Sequence, residues 1–107
     1  MTFDAADAHD RRVQEDTRWQ RLEACELTPD ASPGVYVFAD PWETVKYVGR
    51  AAAGGLSTEV GAAVRMGKAL GASLVRVMRT PDEEAAETLE RDLVRRYGPV
   101  NNLLRYG

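Results

Sequence analysis

From Ala5 to Leu27 the chain has no glycine or proline and is rich in helix formers, but its apolar positions, Val13, Trp19, Leu22 and Leu27, are sparse. That pattern predicts a helix with a weak apolar stripe. The cluster Thr28-Pro29-Asp30-Ala31-Ser32-Pro33 breaks it and marks the junction with the main body. Two short β-branched and aromatic runs follow, Gly34 to Ala39 and Val45 to Arg50, joined by Asp40-Pro41-Trp42-Glu43-Thr44. They predict a hairpin. The first run is apolar on both faces, as an inner strand would be, whereas Lys46 and Arg50 give the second a partly polar face. Beyond Gly54-Gly55, the residues Leu56, Val60, Ala63, Val64, Gly67 and Leu70 recur at helical spacing, which predicts an amphipathic helix over 57–70. Ser73 to Arg79 predicts a third strand. Thr80-Pro81-Asp82-Glu83 then reads as a capping box, with Thr80 as N-cap, opening a helix that runs to Tyr97 and stops at Gly98-Pro99. The element order predicts an α+β domain: a small three-stranded, mainly antiparallel sheet flanked by helices, with an extra N-terminal helix.

At about 100° per residue, Ala86, Leu89, Leu93, Val94 and Tyr97 share one arc of the last helix, and Glu90 lies inside it. A carboxylate on an apolar face is costly unless it is paired, protonated or bound to metal. Two readings follow from the residues: a buried ion pair with Arg76 or Arg79 of the preceding strand, or a metal ligand at the floor of a cleft. A single carboxylate suits Mg²⁺, which keeps most of its waters. In the hairpin, Gly34-Val35-Tyr36 and Tyr47-Val48-Gly49 are similar triplets separated by ten residues. Singly, a strand tyrosine is an ordinary aromatic. Two such triplets plus the carboxylate form a more specific set.

Composition narrows the chemistry. With 107 residues, the chain has room for one core. No apolar run is long enough to span a bilayer and residues 1–17 do not resemble a signal peptide, so a cytoplasmic protein without membrane contact is expected. Cys25 and His9 are the only cysteine and histidine, which leaves no intrachain disulfide, no Cys/His zinc site and no Ser-His or Cys-His nucleophile within the fold. Carboxylates, tyrosines, arginines and a hard metal remain. The overall charge of −3 is unevenly spread. Residues 1–31 hold eight acids against four arginines, net −4; residues 44–80 hold Lys46, Arg50, Arg65, Lys68, Arg76 and Arg79 against Glu59 alone, net +5. An acidic helical segment, 1–31, therefore precedes a domain, 32–107, with a basic middle.

With these motifs the chain resembles the GIY-YIG nuclease superfamily, over about residues 33–102. Pro33-Gly34-Val35-Tyr36 and Tyr47-Val48-Gly49 stand for its two triplets, valine replacing isoleucine in each. Glu90, Leu93, Val94, Pro99 and Asn102 match, in register, the family's metal-binding glutamate and the asparagine that follows a proline-containing turn. The resemblance implies a three-stranded antiparallel sheet with flanking helices and a metal-dependent endonuclease that hydrolyses phosphodiester bonds in DNA. The family usually places a phosphate-binding arginine on the helix after the second triplet. Ser57 stands there, with Glu59 nearby, and the candidates to replace the arginine are Arg50 and Arg65.

By the same resemblance Glu90 would hold Mg²⁺ or Mn²⁺. Tyr36, supported by Tyr47, would take a proton from the attacking water, and Arg50 or Arg65 would bind the phosphate. Asn102 would position the glutamate side of the cleft. Lys46, Lys68, Arg76 and Arg79 would track the flanking backbone with little sequence specificity. Tyrosine ionises near pH 10 on its own, so nearby cations would have to lower it. Residues 1–31 could pack on the body, cover the basic surface or contact a protein partner. Two other readings stay open: a catalytically impaired module of this fold that binds nucleic acid or a protein, and an unrelated α+β domain in which the tyrosines and Glu90 are structural. Only the first two require Tyr36, Tyr47 and Glu90 to share one cleft.

Overall fold

A computed structural model describes residues 1–25 and 32–103. The hairpin forms as expected: β3 (Gly34–Ala39) pairs antiparallel with β4 (Val45–Ala51), Tyr36 opposite Gly49 and Phe38 opposite Tyr47. On its other side β3 pairs antiparallel with β5 (Leu74–Arg79). Every residue of β3 is buried, as its two-sided apolar pattern requires. The two helices lie on opposite faces of this sheet. α1 (Leu56–Arg65) sets Leu56, Val60 and Ala63 against Tyr36, Phe38, Val75 and Val77. α2 (Glu83–Tyr97) sets Ala86, Leu89, Leu93 and Tyr97 against Val35, Val37, Val48 and Met78.

The N-terminal segment differs most from its sequence pattern. In place of a helix over Ala5–Leu27 it forms a 3₁₀ turn (Ala5–His9), two short strands, β1 (Glu15–Asp16) and β2 (Gln20–Arg21), and a second 3₁₀ turn (Leu22–Ala24). Both strands pair antiparallel with β5, giving a five-stranded sheet in which β1 and β2 share one neighbour. The outer edge of β5 carries unpaired backbone groups that need partners. The N–H groups of Gln14, Thr17 and Leu22 donate to the carbonyls of Arg79 (2.8 Å), Val77 (3.0 Å) and Ser73 (2.9 Å). With so thin an apolar stripe, the gain from covering that edge exceeds what an isolated helix would offer. Residues 26 and 27 of the expected helix, and 28–31 of the breaker cluster, lie outside the described residues.

The helix ends show smaller differences. α1 stops at Arg65, not at residue 70, because Gly67 turns into the left-handed region at φ 80°. Thr80 is not the N-cap of α2. Its N–H donates to Pro33 (3.0 Å), continuing the β3–β5 ladder, and the cap is Asp82, whose carboxylate accepts from the Ala85 N–H (2.8 Å). Gly98 closes α2 at φ 50°, as its sequence predicts. Among the described residues no helix is long and apolar enough to cross a membrane.

Candidate active site

The site begins with a contact that only glycine allows. Tyr36 lies directly across from Gly49, and a Cβ built on Gly49 would fall 2.3 Å from Tyr36 Cζ. The missing side chain lets the Tyr36 ring lie over β4, where its centroid comes to 6.1 Å from that of Tyr47. Phe38 packs on both rings, at 5.3 and 5.9 Å. Tyr36 is 3% exposed and Tyr47 is half-buried, and the two hydroxyls interact, Tyr36 donating. Lys68 Nζ stands 5.7 Å from the Tyr47 centroid.

Glu90 approaches from the other helix. It sits on the flank of α2 shared with Glu87, facing β4, where Arg50 alternates onto the α2 side of the sheet. Arg50 Nε is 3.7 Å from Glu90 Oε1, and its Nη1 is 3.3 Å from Glu87 Oε2. So Glu90 is paired on an apolar face, but its partner is Arg50, not Arg76 or Arg79. Burial raises the Glu90 pKa above the usual carboxylate range, Arg50 opposes the rise and Glu87 adds to it. The field of Glu90 reaches both tyrosines. Burial is the main reason that the Tyr36 hydroxyl holds its proton more tightly than a free tyrosine, and Tyr47, Glu59 and Glu90 add to it. Tyr47 is raised by burial and by Glu90 and Glu59, while the hydrogen bond from Tyr36 opposes the rise. The cations expected to lower these hydroxyls do not outweigh burial and the carboxylates.

Beside Arg50, a cavity of about 190 Å³ is lined by Arg50, Ala51, Ala52, Glu59, Glu83 and Ala86. From α1 it receives Glu59 rather than an arginine. Arg65 is exposed, and its Nη1 folds back to 3.4 Å from where a Cβ of Gly61 would stand. Of the two candidate arginines, Arg50 is therefore the one beside Glu90. Lys46 extends toward the loop before β5, with its Nζ 4.0 Å from Asp40 and its stem against Gly71.

Arg76 and Arg79 do not line this site, which corrects the expectation that they track a nucleic-acid backbone. Arg76 is buried on the α2 side of the sheet, bound by Asp16 through two hydrogen bonds of 2.8 and 2.5 Å, with its guanidinium 4.9 Å from the Phe3 ring and 5.5 Å from Trp19. Arg79 is 3% exposed, its Nε 3.8 Å from Glu15. Acids of the N-terminal segment are in this way engaged inside the chain rather than presented to a partner: Asp16 on Arg76, Asp10 on Arg12 at 2.9 Å, and Asp7 on Arg96 and the Tyr97 hydroxyl.

Asn102 lies against the open edge of β4. Its Oδ1 accepts from the Val48 N–H (2.8 Å) and its Nδ2 donates to the Val48 carbonyl (2.9 Å), so the amide acts as one more rung beside Tyr47 and Gly49. Its neighbour Asn101, unmarked in the sequence reading, is buried and donates to the carbonyls of Lys68 (2.8 Å) and Leu70 (2.9 Å). It thereby fixes the turn that carries Lys68. The juxtaposed Asn-Asn pair after Pro99 was the available signal.

Among the described residues no three His, Cys, Asp or Glu side chains converge as a metal cage. The carboxylate that stands at this site, Glu90, is a hard oxygen donor, with Arg50 Nε 3.7 Å from it. This suits Mg²⁺ or Mn²⁺ completed by water and phosphate oxygens, and it does not suit zinc or copper.

The chain matches no family model, and no curated protein matches it. Among solved structures it is similar to the GIY-YIG N-terminal endonuclease domain of UvrC from Thermotoga maritima bound to its catalytic divalent cation, magnesium. The TM-score is 0.61 at 24% identity, over 72% of this chain and 90% of that one. It is similar too to a form of that domain in which an asparagine is replaced by alanine, also bound to its catalytic divalent cation (TM-score 0.61, 24% identity, 74% and 90% coverage). A form with a tyrosine replaced by phenylalanine gives a TM-score of 0.61 at 23% identity, covering 73% and 90%. The fold of this chain is the GIY-YIG fold.

Proposed function

We propose that this GIY-YIG fold acts in the cytoplasm as a metal-dependent endonuclease on DNA, with little sequence specificity of its own. The observation that carries the reading is the arrangement of the motif residues around β4: the Tyr36 ring over Gly49 beside Tyr47 on one face, and Arg50 paired with Glu90 on the other. A divalent cation on Glu90 supplies charge neutralisation at the scissile phosphate and at the leaving oxygen.

The protein groups do the rest. Arg50, tethered by Glu87, turns its guanidinium to the non-bridging phosphate oxygens, a geometry that arginine suits well. Tyr36 is too buried to meet a water and serves as the hydrogen-bond donor that orients Tyr47. The more exposed Tyr47, with Lys68 over its ring, would act as base toward the attacking water only as its phenolate, its own proton having passed to solvent once positive charge at Glu90 offsets the carboxylate that raises it, which exchanges the roles that the sequence reading gave the two tyrosines. Asn102 holds β4 so that Tyr47 and Arg50 keep their positions.

The test is cleavage of single-stranded, duplex and branched DNA, with an RNA control, in Mg²⁺ or Mn²⁺ against a chelator, alongside Glu90→Ala. Metal-dependent cutting that falls to background in Glu90→Ala is expected. A second reading, a catalytically impaired module that binds nucleic acid, is favoured by Glu59, which brings a carboxylate where a phosphate-binding arginine would serve. Binding without cutting by the folded wild-type chain under all of these conditions would establish that reading in place of the nuclease.

A further inference from the structure

We propose that the β3–β4 turn is a stacking platform for an unpaired base, so that the strand cut at the Tyr47 site is single-stranded on that side of the scissile phosphate. The proposal rests on the nuclease reading and specifies its substrate. Trp42 is 77% exposed and is the only exposed aromatic among the described residues. Trp19, by contrast, packs edge-on to Phe3 at 5.4 Å.

The Trp42 backbone is held in place. Asp40 Oδ1 accepts from the N–H groups of Trp42 (3.0 Å) and Thr44 (2.9 Å), and the Glu43 N–H donates to the Asp40 carbonyl (2.9 Å). Glu43 adopts φ 63°, which closes the turn. A large ring presented to water on a fixed backbone loses little entropy when something stacks on it.

What lies between Trp42 and Tyr47 identifies the occupant. The register shifts by one residue between Phe38 and Ala39, so Lys46 has no cross-strand partner on β3, and its stem reaches Gly71, near the turn that carries Lys68. Lys46 thus reaches back to the turn at Asp40, and Lys68 stands over the Tyr47 ring. Once Arg76 and Arg79 are counted as buried, the cations of 44–80 that reach solvent are Lys46, Arg50, Arg65 and Lys68, of which Arg50 is held by Glu87 and Glu90 and Lys46 lies 4.0 Å from Asp40. Of the two acids in the turn, Asp40 is engaged by Lys46 and two backbone N–H groups, while Glu43 directly follows Trp42. The turn is polar apart from Pro41 and Trp42. A ring followed by lysines matches a base followed by its phosphates, whereas a protein hot spot would set the ring in an apolar surround. At strand rise, Thr44 at the end of the turn stands on the order of 10 Å from Tyr47, about three nucleotides of a stacked strand. Stacking of this kind accepts any base, in keeping with low sequence specificity.

The experiment reads binding in chelator, so that nothing is cut, using labelled oligo(dT) and a perfect duplex. Expected results are quenching of tryptophan fluorescence by oligo(dT), and loss of that quenching with about tenfold weaker single-strand binding in Trp42→Ala. Trp42→Phe should retain most of the affinity, duplex binding should be unchanged, and the circular dichroism of both variants should match wild type. Equal affinity of wild type and Trp42→Ala for oligo(dT), an equal loss on single strand and duplex, or Trp42-dependent self-association in sedimentation would each overturn the proposal. Cleavage by wild type with Trp42 irrelevant to binding removes this proposal alone. Quenched single-strand binding without cutting removes the nuclease reading alone.

Discussion

The two long edges of the sheet are finished in opposite ways. Along β5, two short strands from the N-terminal segment cover the backbone, and their acids meet the arginines: Asp16 with Arg76, Glu15 with Arg79. Along β4, single groups fill the edge. The Met1 carbonyl accepts from Val45 (2.9 Å), Phe3 donates to Glu43 (2.8 Å), and the Asn102 amide takes Val48, leaving Lys46, Tyr47 and Arg50 beside solvent. The chemistry-bearing residues lie along the sparsely covered edge. The acids of the N-terminal segment pair with the β5 arginines, so the cations of 44–80 that reach solvent, Lys46, Arg50, Arg65 and Lys68, lie on the β4 and α1 side of the sheet.

The strongest way to break this contrast is Asp16→Ala. It strands a buried guanidinium between Phe3 and Trp19, and removing one partner of a buried pair is costly. A loss of about 3 kcal/mol in urea unfolding is expected, with Asp16→Ala/Arg76→Leu recovering most of it, while binding of oligo(dT) by the folded variant stays at the wild-type level. Weaker binding by the folded variant would mean that the β5 edge takes part in the nucleic-acid surface, and the contrast would fail.

A smaller change at the other edge sharpens the contrast. Asn102→Ala takes the side-chain partner from the N–H and carbonyl of the buried Val48, so about 1–2 kcal/mol of stability should be lost. The effect on cleavage should exceed the effect on stability, because Val48 is flanked by Tyr47 and Gly49. Cleavage that merely follows the folded fraction would reduce Asn102 to a structural rung.

Physical reasons separate what the sequence revealed from what it hid. Glu90 was visible because helical spacing placed it among Ala86, Leu89 and Leu93, and the tyrosines because each sits in a strand next to a glycine with a steric purpose. The central strands and α2 were visible for the same reason, since periodic burial leaves a periodic pattern. Strands of two residues have no period, so β1 and β2 were hidden behind helix-forming composition. Arg76 and Arg79 looked like surface cations because their acids come from positions some sixty residues earlier in the chain. Thr80 and Asp82 are both good caps, and the Thr80 N–H had already been taken by Pro33, a tertiary fact that no local pattern records. The occupant of the α1 side of the cavity, Glu59 rather than Arg65, depended on which way one exposed side chain folds along its own helix.

The mildest test uses pH and acts on the link between the N-terminal segment and α2. The Tyr97 hydroxyl donates to Asp7 and accepts from the Asp4 N–H (2.8 Å). Burial, with the hydrogen bond to Asp7, pushes its pKa up from 10 to about 12, whereas in the unfolded chain it returns to about 10. The protonated phenol is the form the fold prefers, so its contribution is complete below pH 10 and is lost as pH rises from about 10 to 12. Thermal unfolding followed across that range should show a decline that Tyr97→Phe flattens, since phenylalanine has no proton to lose. Tyr97 packs on Phe3, which in turn lies against Arg76, so the first region to loosen should be the covered edge. Hydrogen exchange should therefore rise at Gln14 and Thr17, whose N–H groups donate to β5, before it rises at Val48. The reverse order would place the weaker attachment at β4, and the N-terminal segment would then be the firmer of the two edges.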